Sequence, residues 1–323
     1  MEGELKAART PRISIVIVAW NALHFLRPCL RSLDQPAPFS DIEIFVVDNG
    51  STDGSADAVA AEFPAVRLIR ETENRGYPAA NNIALRTILA EGRSDFVILL
   101  NSDTIVLDRT VDLLADYLAG HPGVAAVLPA LVLPDGRFQV GPCGYLPTAR
   151  ALFGYFFGLN KIFPVTSRSF FIDQKAVSRR VPFLPVEWLS GACLALRRET
   201  IERIGLMSED YFFYAEDLDW GRRMKDAGLV LHYWPGARVV HHHGVTYQDI
   251  IGKTNTAWLR MLFQYMKKER GRSEYLLGRS FAVLGFLFRT VGRVVLSFPW
   301  AAKASRRKIR DAFRFFTFSL TGV

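Results

Sequence analysis

Cysteine is scarce. There are three in 323 residues, Cys29, Cys143 and Cys193, and no two form a CxxC pair. That argues against a disulfide framework or a thiolate zinc site and predicts a reducing compartment. There is no Gly-rich Walker loop, no GxGxxG fingerprint and no nucleophile elbow, so P-loop, Rossmann and α/β-hydrolase chemistry are disfavoured. Met1 to Arg12 is charged and runs into a strand-like segment, so no cleavable apolar leader is expected. Acids are rare at the far end. From Leu259 to Val323 there are 14 Lys and Arg against 3 Asp and Glu, a charge of +11 that leaves the first 258 residues at −3 of the total +8. Such asymmetry suits an anionic partner. No recognised nucleic-acid motif accompanies it, so an anionic membrane surface is expected and nucleic acid is not.

Half of the residues are hydrophobic, enough for one large domain or two small ones. Residues 13 to about 110 alternate between strand and helix signals. Ile13–Val18, Asp41–Val47, Val66–Ile69 and Phe96–Leu100 read as strands; Ser55–Phe63 and Ala79–Leu89 read as helices. Asn21 is placed to cap a helix carrying Leu23, Leu26, Leu30 and Leu33 on one face, with Pro28 expected to kink or restart it. Two apolar strands empty into polar clusters. The second ends in Asp48-Asn49-Gly50-Ser51-Thr52-Asp53-Gly54, the fourth in Asn101-Ser102-Asp103. Ligands of open α/β sheets bind at the carboxyl ends of strands. Asp48 is placed to accept hydrogen bonds from a nucleotide base or ribose, although taken alone it is better explained as a helix N-terminal or turn carboxylate. The oxygens around Asp103 suit a divalent cation holding a diphosphate.

Residues 124 to 245 read as a second unit. Val124–Leu133 is strand-like and ends in a turn at Pro134-Asp135-Gly136. Residues 150 to 187 crowd Phe and Tyr among Lys and Arg without a period; they form either an irregular half-buried loop or a mobile surface for a lipid-linked acceptor. Trp188 to Leu196 returns to strand-like sequence. Glu209 to Ala227 enters a helix through Glu216-Asp217-Leu218-Asp219, and His241-His242-His243 follows a strand-like run. An acidic helix start is a common structural feature, and Asp219 alternatively pairs with Arg222 or Arg223.

The tail from Arg272 to Phe298 is amphipathic if helical. At about 100° per residue, Arg272, Arg279, Arg289, Thr290, Arg293 and Ser297 share one arc, and Gly271, Gly278, Gly285 and Gly292 form a neighbouring stripe that permits close packing. Arg289 and Arg293 within the apolar run disfavour a transmembrane span. An interfacial helix fits, with a basic-faced helix packed on the protein as the alternative.

Five stretches in order resemble the family 2 glycosyltransferases of GT-A fold, over roughly residues 12 to 270. They are Ser14 to Asn21, the Asp48 segment, Glu73-Asn74-Arg75-Gly76-Tyr77-Pro78-Ala79-Ala80-Asn81-Asn82, Leu99 to Asp103, and Trp188 to Gly244. The chain is most similar to the bacterial rhamnosyltransferase-like branch. The resemblance implies a GT-A nucleotide-diphospho-sugar transferase fold, α/β with a mostly parallel central sheet and flanking helices. To this the tail adds a basic amphipathic helical extension. It implies that Asp48, Asn49, Arg75, Asn101 and Asp103 bind the donor. Asp103 and His241, with His243 as runner-up, would hold Mg²⁺ or Mn²⁺. Asp217 would be the base with Glu216 as its partner, and Trp188 and Gly191 would form the acceptor wall, unless Trp188 is simply core. Asn101 departs from the family's DxD pattern by replacing its first acid, which bears on metal affinity more than on metal use.

The expected organisation is a tail (1–11), a nucleotide-sugar-binding half (12–110), an acceptor-binding and catalytic half (111–245) and a membrane-associating extension (246–323). The expected activity is inverting transfer of a sugar, L-rhamnose from dTDP-rhamnose being one candidate, to a lipid-linked or polysaccharide acceptor. The expected location is cytoplasmic, peripheral on the inner face of the cell membrane. The rivals are a sugar nucleotidyltransferase, which needs a Gly-rich triphosphate loop where Trp20-Asn21-Ala22-Leu23 stands, and a silent glycan-binding scaffold, for which only Asn101 speaks.

Overall fold

Apolar runs without alternation predict strands covered on both faces, and the sheet is built from them. The computed structural model describes residues 10–34, 41–107, 109–242, 256–297 and 303–321. Strands β1 (Arg12–Ala19), β2 (Asp41–Asn49), β3 (Arg67–Glu71) and β4 (Phe96–Asn101) form the first part. They lie parallel in the order β3-β2-β1-β4, with Ala19 opposite Asp48 and Val18 opposite Asn101. The two polar clusters therefore share the carboxyl edge of the sheet. Helices α1 (Leu23–Leu33), α2 (Ser55–Glu62) and α3 (Tyr77–Glu91) flank these strands.

The chain continues through β5 (Thr104–Val106), α4 (Thr110–Gly120), β6 (Val124–Val132) and β7 (Cys143–Gly144). Next come α5 (Ala149–Phe156), α6 (Leu159–Ile162), α7 (Gln174–Ser178), β8 (Leu184–Val186) and β9 (Trp188–Leu189). Then follow β10 (Cys193–Arg197), α8 (Arg198–Ile204), α9 (Glu216–Asp226) and β11 (Val230–His241). Strand β10 inserts antiparallel between β4 and β6, β11 joins β6 in parallel, and β5 pairs antiparallel with β11. The two halves expected from the sequence thus share one nine-stranded sheet. One face of the sheet is closed by Tyr77, Ala80, Ala84, Leu85 and Ile88 of α3 with Trp220 and Met224 of α9. The other is closed by Leu26, Cys29, Leu30 and Leu33 of α1 with Leu114 and Leu118 of α4.

Several local expectations are corrected. Helix α1 runs through Pro28 unbroken, and its N-cap residue is Ala22. Leu23 N–H donates instead to Asp53 Oδ2 at 2.9 Å, while Asn21 Oδ1 accepts from Thr52 N–H at 2.8 Å. Residues 150–187 carry three short helices rather than an irregular loop.

The tail forms α10 (Ala257–Glu269), α11 (Gly271–Ser297) and α12 (Lys303–Thr321). They share a third core with Leu152, Phe156, Phe170, Trp188, Tyr211 and Leu218, filled by Leu262, Met266, Ala282, Phe286 and Phe318. The middle of the glycine stripe lies on the packed face, since a Cβ at Gly278 would meet Met266 Cε at 2.7 Å and one at Gly285 would meet Phe156 Cβ at 2.5 Å, while Gly271 and Gly292 face open space. Helix α11 thus packs on the protein through this side. No helix among the described residues is long and apolar enough to cross a membrane.

Candidate active site

Strands β2, β4 and β11 each deliver one part of the site to the polar edge. Asp48, last but one in β2, is 4% exposed. Its Oδ2 accepts Ser51 N–H at 3.2 Å, and its Oδ1 is buried with no hydrogen-bond partner. A buried carboxylate oxygen left unpaired is costly, so that atom marks a place for a donor from outside the protein. Asn49 instead organises the neighbouring loop. It accepts Arg75 N–H at 3.0 Å and donates to Asn74 Oδ1 at 2.9 Å. Gly76 needs its positive φ of 85°, and a Cβ there would meet Phe212 O at 2.7 Å. The Arg75 guanidinium meets Glu71 at 3.3 Å, 48% exposed at the rim.

At the end of β4 the antiparallel register of β5 and β11 sets His241 opposite Thr104, and His242 N–H donates to Asp103 O at 2.9 Å. His241 is buried with its Nε2 3.1 Å from Asp103 Oδ1 and 3.3 Å from Asn101 Nδ2. Its Nδ1 lies 2.7 Å from Gln139 Oε1, an acceptor, so Nδ1 donates there and Nε2 is the nitrogen turned toward Asp103. Gln139 is held in turn, because Gln174 Nε2 donates to its carbonyl at 2.7 Å. His242 packs on Phe25, and His243 lies outside the described residues.

The donor set fits a divalent ion that arrives with a diphosphate. Among the described residues no group of three His, Cys, Asp or Glu side chains could hold a metal. Two converging ligands suffice when phosphate oxygens and water complete the shell, as is usual for Mg²⁺. Asn101 brings no charge but touches the same histidine nitrogen.

Glu216 and Asp217 open α9, entered through Tyr214 and Ala215, both at positive φ (67° and 70°). Backbone strain of this kind, at non-glycine residues, concentrates at functional sites. Burial, reinforced by the charge of Asp217, pushes the Glu216 carboxyl well above its ordinary range, and its Oε2 has no partner. Burial also pushes Asp217 up to about 7, against the Leu218 N–H that donates to its Oδ1 at 2.8 Å. Asp219 is committed elsewhere, to Arg222 at 3.0 Å and Arg223 at 2.9 Å. One residue ties these parts together. Tyr77 N–H donates to Phe212 O at 2.9 Å, and Tyr77 Oη donates to Gly191 O at 3.0 Å. One residue further on, Asn101 N–H donates to Ala192 O at 3.0 Å.

The acceptor-side expectation for Trp188 is corrected. The ring is 3% exposed, stacked on Phe170 at 5.5 Å, with Nε1 donating to Phe170 O at 3.2 Å. Its face is unavailable to a sugar, and it supports the wall from behind. Gly191 admits the tyrosine: a Cβ there would lie 2.4 Å from Tyr77 Oη. Gln139 and Gln174 were not singled out by the sequence, since both stand in stretches without period or motif. Cys29 lies beneath the site, its thiol pushed up to about 12 by burial, and is unsuited to nucleophilic work.

A polar site of this kind at the carboxyl edge of a mostly parallel sheet suits a glycosyltransferase. The chain belongs to glycosyl transferase family 2, which residues 14–180 match, and within it to the rhamnosyltransferase-like branch. It is 32% identical over 254 residues to the N-acetylglucosaminyl-diphospho-decaprenol L-rhamnosyltransferase of Mycobacterium tuberculosis, covering 72% of this chain and 76% of that one. It is 28% identical over 85 residues to rhamnosyltransferase WbbL of Escherichia coli K12, covering 26% of this chain and 32% of that one. The fold is GT-A. A mannosyltransferase of Pyrobaculum calidifontis, solved with GDP-Man and Mn²⁺, superposes with a TM-score of 0.58 at 18% identity, covering 98% of this chain and 88% of that chain.

Proposed function

We propose that the protein is an inverting, metal-dependent glycosyltransferase that moves a sugar, L-rhamnose from dTDP-rhamnose in the first instance, to a lipid-linked cell-surface glycan acceptor. The observation that carries this is the convergence of Asp103 and His241 at the same strand edge as the unpaired Asp48 oxygen. Asp48 takes a donor group of the base or ribose. Asn49 shapes the Arg75 loop beside the nucleotide, and Asn101 hydrogen-bonds ribose or phosphate. Asp103 and His241 hold Mg²⁺ or Mn²⁺, whose chemistry is to stabilise charge on the departing diphosphate.

Asp217 takes the acceptor hydroxyl proton. A carboxylate that titrates at about 7 is a stronger base than an ordinary one and is still half ionised near neutrality. Burial keeps Glu216 protonated, so the pair carries one charge and Asp217 keeps the acceptor role. Gly191 lies on the acceptor side, held by Tyr77. We assign residues 12–110 to the donor, 111–245 to the acceptor and catalysis, and 246–323 to the membrane. The lipid of such an acceptor resides in a bilayer, so we place the enzyme at the cytoplasmic face of the cell membrane, as a peripheral protein.

Thermal-shift measurements with a panel of nucleotide diphosphate sugars, with and without Mn²⁺ or Mg²⁺, test the donor reading. A ligand that binds only the folded state raises the melting temperature. Stabilisation by dTDP-rhamnose that requires the metal is expected. A shift with a different donor corrects the sugar; no shift with any donor refutes the enzyme reading in favour of a silent scaffold.

A further inference from the structure

Helix α11 is packed opposite to a water-facing amphipathic helix. Leu276, Leu277, Leu284, Leu287, Phe288 and Val291 are 39–64% exposed. At about 100° per residue these six and Ser280 fill roughly 120° of arc, and the stripe runs about 24 Å along the axis. No charge lies within it. Two of the arginines that the sequence places on the polar face, Arg279 and Arg289, are instead used inward. Arg279 donates to Ser319 O at 2.8 Å and Leu320 O at 2.6 Å, the last carbonyls of α12. Arg289 donates to Tyr155 O at 2.9 Å, at the end of α5, with its guanidinium 4.8 Å from the Tyr155 ring centre. Both satisfy orphan carbonyls at the negative ends of helices. A soluble helix turns its apolar stripe to the core; this one buries Ala282 and Phe286 there and turns a second apolar stripe to the outside.

Such a continuous apolar surface marks an interaction site, and its surroundings select the partner. Helix α12 also exposes Phe313 and Leu320, at 54% and 51%, beside exposed Arg310 and Arg314. The segment from Leu259 onward carries 14 basic residues against 3 acidic ones. A second copy would bring the same excess and be repelled. An anionic phospholipid bilayer offers acyl chains for the leucines and negative headgroups for the exposed basic residues. We propose that α11 and α12 form an interfacial platform whose Leu276–Val291 face enters the acyl boundary of an anionic bilayer, while Arg279 and Arg289 hold the platform together from inside. The core that seats the platform also contains Trp188, behind the Gly191 wall, which fixes the height of the acceptor side above the lipid. The inference deepens the reading of a lipid-linked acceptor, yet its test uses no sugar, so failure of one is distinguishable from failure of the other.

The test is co-sedimentation of the full chain with vesicles of phosphatidylcholine alone or with phosphatidylglycerol, at low and high salt. The wild type is expected to bind the anionic vesicles and to lose only part of that binding in high salt. Leu284→Ser with Phe288→Ser, and separately Leu276→Ser with Leu287→Ser, should each weaken binding by about ten-fold or more. Their melting temperatures should stay at the wild-type value, because these side chains are exposed. Arg310→Gln with Arg314→Gln should reduce the preference for anionic lipid and spare the salt-resistant part. Wild-type binding by both apolar variants, or no binding by the wild type, overturns the proposal. So does a concentration-dependent dimer that the serine variants disperse, because the face would then belong to a second copy.

Discussion

Replacing Gln139 by Leu removes the acceptor of the His241 Nδ1 proton, a contact of 2.7 Å between buried groups. Two costs follow. An unpaired buried N–H destabilises the fold by about 1–3 kcal/mol. The ring is also free to rotate or change tautomer, and Nε2 no longer points by default at Asp103, 3.1 Å away. Loss of such an outer partner typically weakens metal affinity or activity by about 10–100-fold, which is about 1.4–2.8 kcal/mol. The backbone carbonyl of Gln139 still accepts from Gln174, so the segment should keep its place. Mn²⁺ titration followed by electron paramagnetic resonance, in the presence of a nucleoside diphosphate, reads the affinity directly. Gln139→Glu, which keeps the acceptor, should retain most of it. If Gln139→Leu binds Mn²⁺ as the wild type does, or Gln139→Glu is as damaged as Gln139→Leu, the orienting role is refuted.

Asp103→Ala should abolish turnover, as should EDTA with the unaltered enzyme; full activity in EDTA refutes the metal assignment. Asp217→Asn should lower kcat by roughly 10²–10⁴-fold while donor-induced thermal stabilisation survives. Since Asp217 must be ionised to act, kcat/KM of the wild type should rise as pH climbs through about 7, and a flat profile in that window refutes its role. The same carboxyl binds its proton more tightly folded than unfolded, so its contribution to stability is largest in acid and falls as pH rises from about 4 toward 7. Asp217→Asn should therefore melt above the wild type at pH 8, and an unchanged melting temperature across both pH values contradicts the burial argument. A chain ending near Arg270 loses the burial of Ala282, Phe286 and Phe318 and should melt well below the full chain. An unchanged melting temperature would make the tail an independent appendage.

The sheet was legible wherever strands are buried on both faces. β1, β2 and β4 carry the apolar runs Ile15–Ala19, Ile44–Val47 and Phe96–Leu100, and the polar ends of the last two announce Asp48 and Asp103. What escaped the reading depends on contacts between distant segments. Asn21 is a reasonable cap by type, yet Asp53, thirty residues on, reaches Leu23 first. Trp188 carries the same letter whether it faces a sugar or Phe170, and only packing decides. Gln139 acts through the register of β11, which no local pattern encodes. The arc of arginines in the tail was located correctly, but its direction was not. Periodicity defines the faces of a helix and leaves open which one is turned inward, and here carbonyls at the ends of α5 and α12 drew the arginines in.

The insertion of β10 between β4 and β6 has a consequence for the nascent chain. Leu100 acquires its partner Cys193 only after the whole intervening stretch has been made. At about 5–20 residues per second, translation leaves the β4 edge open for roughly 5–20 s. During that time a parallel, apolar ladder of Val97 to Leu100 presents unpaired backbone groups, a template for wrong pairing. The stretch that matches the family ends at residue 180, short of the strand that closes this edge. Cutting the gene at that boundary would yield a fragment with a permanently open ladder, so a segment that carries the family's signature lacks the partner its own sheet requires.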